Sequence, residues 1–186
     1  MNRCLWAKTS LEITYHDTEW GVPTHDDAKL FEYFVLDTFQ AGLSWAIILS
    51  KREGFRRAFD NFDAAKIAKY DQYKLDELLL NPEIIRNKLK IKAAATNAAA
   101  FLETQVEFGS FSNYIWQFTN HQTIVNYWAD RKNVPATSPE SDAMALDLKK
   151  RGFKFCGTTI CYAFMQAIGM INDHTTDCFR YEEVKE

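Results

Sequence analysis

The stretch LKIKAAATNAAAFLETQVEFG, residues 89–109, decides the class of this fold. Strong helix formers fill it without a proline, its apolar residues return at intervals of three and four, and Gly109 supplies a stop. Alanine at this density also predicts close packing against neighbouring helices. Upstream, Asn81-Pro82 reads as an N-cap followed by proline at the first helical position, leading into Ile84 and Ile85. Leu75, Leu78 and Leu79 mark another helix, and Asp63 caps a short one through Tyr70. Asp26 or Asp27 opens a helix with Leu30, Phe31, Phe34, Val35 and Thr38 on one stripe. After Gly42, Leu43, Ile47 and Ile48 begin a further helix, continued by Phe55 and Phe59.

Downstream, Ser110 to Phe118 predicts an amphipathic helix and Val134 to Pro139 a loop. Ser138 or Ser141 starts a helix ending at Gly152, and Thr158 or Thr159 caps the last substantial helix, which Gly169 interrupts or closes. The expected class is all-α. At 186 residues, 47% hydrophobic and 15% aromatic, the chain suits one domain, or two small helical lobes around a cleft, with a sizeable core. No apolar run spans a bilayer, and MNRCLWAKTS lacks the apolar run of a signal peptide, so a cytoplasmic chain with reduced cysteines and no membrane partner is expected.

A net charge of -3 argues mildly against a polyanionic partner. Three basic segments, Lys51–Arg57, Arg86–Lys92 and Lys149–Lys154, qualify that average. Each alone reads better as a solvated helix face, but converging on one face they would bind phosphate. Ile84 to Ile91 also has the layout of a helix-hairpin-helix, which presents amides and lysines to a DNA backbone. It lacks the glycine-rich turn of that element, and an ordinary helical corner is the better reading of these residues alone.

Two half-sites for a metal stand at opposite ends of the sequence: Cys4 with His16, and His174 with Cys178. The His174-x₃-Cys178 spacing places two ligands one helical turn apart or in a tight exit loop. Together the four residues would make a closed Cys₂His₂ set, the type that holds structural zinc. Two buried thiols and two ordinary histidines remain the plainer reading of the spacing. Asp37, the turn QAGLSW at residues 40–45, and the acids and aromatics of YHDTEWG at residues 15–21 are the residue types that hold a flat heteroaromatic base. Core packing explains each of Tyr15, Trp20 and Trp45 taken singly.

YHDTEWGVP at residues 15–23, QAGLSW at residues 40–45 and KKRGFKFCGTTICYAFMQAIGMINDH at residues 149–174 closely resemble the DNA-3-methyladenine glycosylase I family, over essentially the whole chain. The resemblance implies an all-α helix-hairpin-helix glycosylase fold and a structural zinc held by Cys4, His16, His174 and Cys178. It implies hydrolysis of the N-glycosidic bond of N3-methyladenine in alkylated duplex DNA, leaving an abasic site, without lyase activity. Asp37 then takes the catalytic position, Tyr15, Trp45, Glu12 and Trp6 the base-binding positions, and Arg86, Lys88 and Lys90 the DNA backbone. A monomer that releases free 3-methyladenine is expected.

The family typically has glutamate where this chain has Asp37, and tyrosine where it has Glu12. Glu12 is therefore expected to supply an acceptor that the shorter Asp37 does not extend. His25 and His121 are assigned no role. The competing readings are a zinc-stabilised DNA-binding module without catalysis and a zinc hydrolase, the latter disfavoured because four protein ligands leave no open position.

Overall fold

The computed structural model describes residues 2–185. Its helices are α1 (Ser10–Thr18), α2 (Asp27–Gln40), α3 (Trp45–Ala58), α4 (Ala64–Ile67), α5 (Gln72–Leu80), α6 (Lys88–Phe108), α7 (Phe111–Trp116), α8 (Pro139–Lys150), α9 (Thr158–Ala167) and α10 (Arg180–Glu183). The all-α expectation holds, with one addition. Ile124–Val125 (β1) and Ile171–Asn172 (β2) form a two-residue parallel pair, in the register Ile124 to Ile171 and Val125 to Asn172.

Sequence signals place most helix starts correctly. Asp26 caps α2 through the Lys29 amide, Asp63 caps α4 and Ser138 caps α8, whose first residue is Pro139, while α6 starts just ahead of the expected position on an Asn87 cap that the sequence reading did not assign. Gly109 closes α6 in the left-handed conformation. Two expectations need correction. Asn81 follows α5 as its C-terminal cap and opens no helix; its side chain accepts from the Glu83 amide in a turn that leads to α6. Gly157 precedes α9 in the capping position expected of a threonine.

Helix α1 went unread because its apolar residues make no clear stripe. Its start rests instead on a capping box in which Thr9 accepts from the Glu12 amide while the Glu12 carboxylate accepts from the Thr9 amide.

Helix α2 is the central element. Leu30, Phe31, Phe34, Val35, Leu36 and Phe39 are all buried, in a core continuous with α3, α6, α7 and α9. The dense alanines of α6 turn Ala94 and Ala98 inward, and Phe101 packs on Phe31 at 4.8 Å. The turn between α5 and α6 is held on α3. A Cβ at Gly54 would come 2.5 Å from the Glu83 carbonyl, Lys51 donates to the Pro82 carbonyl at 2.7 Å, and Arg57 pairs with Glu83 at 2.7 Å.

Candidate functional site

The second half of α1, the last turn of α2 and the start of α3 converge on a cavity of about 630 Å³. Trp6, Tyr15, Asp37 and Trp45 line it together, with Gln40 at the end of α2 and Ser44 from the turn before α3. The Tyr15 and Trp45 rings lie 5.2 Å apart, and Trp6 meets Trp20 edge-on at 5.1 Å.

The polar chemistry of this cavity is incomplete within the protein. Among the described residues, five buried side-chain polar atoms lack a hydrogen-bond partner, and three of them belong here: Asp37 Oδ2, Trp6 Nε1 and Trp45 Nε1. Such atoms are costly, and cluster where a ligand completes them. Asp37 is 2% exposed, and burial holds its carboxyl well above the usual carboxylate range. Burial, and then the nearby Asp37 charge, raise the Tyr15 phenol as well. The slot thus offers one acceptor, two indole donors and flat aromatic faces.

Glu12 also lines the cavity, and one of its carboxylate oxygens is engaged in the cap of α1. Oε2 accepts from the Thr9 amide at 2.9 Å, the Thr9 hydroxyl at 3.0 Å and the Lys8 amide at 3.3 Å. Glu12 Oε2 thus holds the first turn of α1 while the residue still lines the cavity.

Sequence reading missed Asp173, Gln166 and Arg131, which also line the cavity. Asp173 follows β2 directly and takes four donors, Asn126 Nδ2 and Trp128 Nε1 on Oδ1, and the Tyr162 hydroxyl and Gln166 Nε2 on Oδ2. Its place beside His174 in the sequence was visible; its partners, brought in from 126–128 and α9, were not.

Beyond this wall, Cys4, His16, His174 and Cys178 are all buried, with their ligand atoms within 4.8 Å of one another. The spacing of the last two is that of a loop after β2. Cys4 Sγ lies 3.5 Å from His174 Nδ1, and Cys178 Sγ lies 3.4 Å from His16 Nε2 and 3.5 Å from His174 Nδ1. A tetrahedral zinc with bonds of about 2.3 Å to sulfur and about 2.0 Å to nitrogen sets sulfur and nitrogen roughly 3.5 Å apart, so the donor set fits such an ion.

The outer nitrogens are oriented too. His16 Nδ1 meets Asp17 at 2.8 Å, itself paired with Arg3, and His174 Nε2 meets the Trp20 carbonyl at 3.1 Å. Hydrogen bonds from the Cys4 thiol, His16 and His174 hold Cys178 far below the ordinary thiol range, favouring the thiolate that a metal binds. Gly21, at φ +80°, lets the chain pass this cluster, since a Cβ there would stand 2.9 Å from His174 Nε2.

The expected DNA-facing residues divide. Arg86 and Lys88 are exposed at the start of α6 and form no ion pair among the described residues. Lys90 departs from expectation. It is 6% exposed, and its Nζ donates to the carbonyls of Phe39 at 2.8 Å and Ala41 at 2.6 Å. The second helical residue of α6 faces outward and the third faces α2. Of the segment at 51–57, Arg52, Arg56 and Arg57 are occupied by Glu19, Glu32 and Glu83, so it presents no free basic face.

Comparison at the family level matches residues 6–181 to Methyladenine glycosylase. The DNA-3-methyladenine glycosylase 1 of Escherichia coli K12 is 45% identical over 182 residues, covering 97% of each chain. The DNA-3-methyladenine glycosylase of Haemophilus influenzae is 46% identical over 177 residues, covering 95% of this chain and 96% of that one. A crystal structure of 3-methyladenine DNA glycosylase I superposes with a TM-score of 0.94 at 47% identity, over 96% of this chain and 98% of the other. A tyrosine-to-phenylalanine variant of 3-methyladenine DNA glycosylase I, solved in complex with 3-methyladenine, gives 0.94 at 30% identity, over 100% and 98%. The chain belongs to the methyladenine glycosylase family and is, by that membership, a DNA glycosylase.

Proposed function

We propose that this enzyme hydrolyses the N-glycosidic bond of N3-methyladenine in alkylated duplex DNA and leaves an abasic site. The observation that carries the reading is the unpartnered, deeply buried carboxyl of Asp37 in the cavity that the Trp6 and Trp45 indoles also line. N3-methylation makes the purine cationic, so the leaving group needs little protonation. The protein must extrude the nucleotide, capture the charged base and exclude uncharged ones.

Tyr15 and Trp45 offer π faces to the cation, each worth about 0.5 to 2 kcal/mol. Asp37 accepts from the exocyclic amine, and on ionising it complements the ring's charge. Asp173 is no candidate for activating water, because four donors already occupy its oxygens. Lys8 is the one lysine lining the cavity and is exposed at its edge, so the reading is of a monofunctional glycosylase without a buried amine for Schiff-base chemistry.

The same reading takes the turn between α5 and α6 as a helix-hairpin-helix element, with Arg86 and Lys88 on the DNA backbone. Neutralising either should lower the log-log salt slope of duplex binding by about one unit, and a slope unchanged in both variants would move the DNA surface elsewhere. Cys4, His16, His174 and Cys178 would hold a zinc with structural work only, fixing the two ends of the chain. A cytoplasmic monomer of a single domain, its helical lobes meeting at the cavity, completes the reading. The described residues contain no helix long and apolar enough to cross a membrane.

The test is to incubate zinc-assayed, folded protein with methylated duplex and identify what is released. Free 3-methyladenine, with intact strands until alkali is added, is the expected result. Folded protein with its zinc that releases no base overturns the reading in favour of a DNA-binding module.

A further inference from the structure

Lys90 is buried where a phosphate contact was expected, and its two hydrogen bonds end on one short segment. Phe39 and Ala41 carry carbonyls at the C-terminus of α2, which has no basic residue in its last turn. Carbonyls at this end lack intrahelical donors, and a cation there is favoured by the helix dipole. The segment from Phe39 to Ser44 joins two walls of the base slot, since Asp37 stands two positions before it and Trp45 follows it directly. Among the described residues, Lys90 gives this backbone its only side-chain hydrogen bonds; the remainder is local, with Leu43 N on the Gln40 carbonyl at 2.7 Å. Ser44 makes no side-chain cap for α3.

We infer that Lys90 is a positioning residue for base capture: by gripping the Phe39 and Ala41 carbonyls it sets the distance and angle between Asp37 and Trp45. The inference rests on the proposed base slot. It also links that slot to the DNA side, because Arg86 and Lys88 lie within four residues of Lys90, and Lys88 shares its helix. A duplex seated on the start of α6 thereby bears, through one side chain, on the turn that carries the slot.

The test compares wild type with Lys90→Met, which keeps length and removes the donors, and Lys90→Arg, which keeps charge and donors. Three measurements are needed: single-turnover release of 3-methyladenine from methylated duplex, quenching of tryptophan fluorescence by free 3-methyladenine, and the salt slope of duplex binding. Lys90→Met should lose at least about tenfold in release rate and bind free base more weakly, with duplex affinity within about twofold and the salt slope unchanged. Lys90→Arg should recover most of the loss.

A Lys90→Met enzyme as fast as wild type would overturn the inference. So would a salt slope lower by one unit, which would put Lys90 on a phosphate. Circular dichroism checks folding, and Lys90→Gln serves if the Met variant does not fold; failure of both to fold would also overturn it, making Lys90 a determinant of the fold. Wild type that neither binds nor releases 3-methyladenine would instead remove the proposed function itself.

Discussion

Two aspartates line the same cavity and are treated in opposite ways. Asp173 receives four hydrogen bonds at 2.6 to 2.8 Å, whereas Asp37 is 2% exposed and has an oxygen with no partner. The first is architecture: it ties the 126–128 segment and α9 to the strand end that leads into His174. The second is, on the proposed function, a cost the fold carries for a ligand, because a buried carboxyl without donors destabilises the native state. Satisfaction by neighbours therefore separates the two roles where burial and residue type do not.

The hardest test of that contrast is Asp37→Asn. Excision should fall by about 10² to 10³, as when one preorganised charge is removed from an active site, while Tm at neutral pH rises. The sign of the second effect follows from linkage. Asp37 holds its proton in the fold at a pH where the unfolded chain has released it, so its contribution is most favourable below the ordinary carboxylate range and is lost as pH rises through the folded value. A variant that keeps activity, or that loses stability at neutral pH, breaks the comparison.

Asp173→Asn should show the reverse. It sets an amide N–H against donors, and a loss of about 2 to 3 kcal/mol is expected, or roughly 5 to 10 °C in Tm by calorimetry. A smaller, pH-resolved effect sharpens the same point. Since the lesion in DNA is a fixed cation, kcat/KM should rise with pH, approaching tenfold per unit below the free-enzyme value for Asp37, and then level. Asp37→Asn should give a flat profile, and a flat wild-type profile would mean that ionisation of this group is not coupled to capture.

The smallest change is predicted for Glu12→Gln. Glutamine can also close a capping box, so excision within about twofold of wild type and a stability loss under about 0.5 kcal/mol are expected. A large activity loss would return Glu12 to the slot.

Local chemistry explains why most of the helices were legible in the sequence: apolar periods of three and four, Asp and Ser caps, and Gly109 all act within a few residues. The four metal-type residues were legible by kind, although their joining across 170 positions followed from resemblance. Lys90 was misread because a lysine near a helix start looks the same whether it faces water or a neighbouring helix; only the approach of α2 decides. The capping box of Glu12 with Thr9 was missed although it is local and was available in Thr-x-x-Glu. Asp173 carries no period or spacing signal, and its four donors come from elements that meet only in the folded chain.

Trp6 stands two residues beyond Cys4, and the Cys4 thiol is fixed by contact with His174. The wall of the cavity that Trp6 makes is thus tied to the loop at 174–178. The Trp6 ring is also held locally, edge-on against His16 and Trp20. Loosening the Cys4–His174 contact is therefore expected to disturb that wall although His174 itself does not line the cavity.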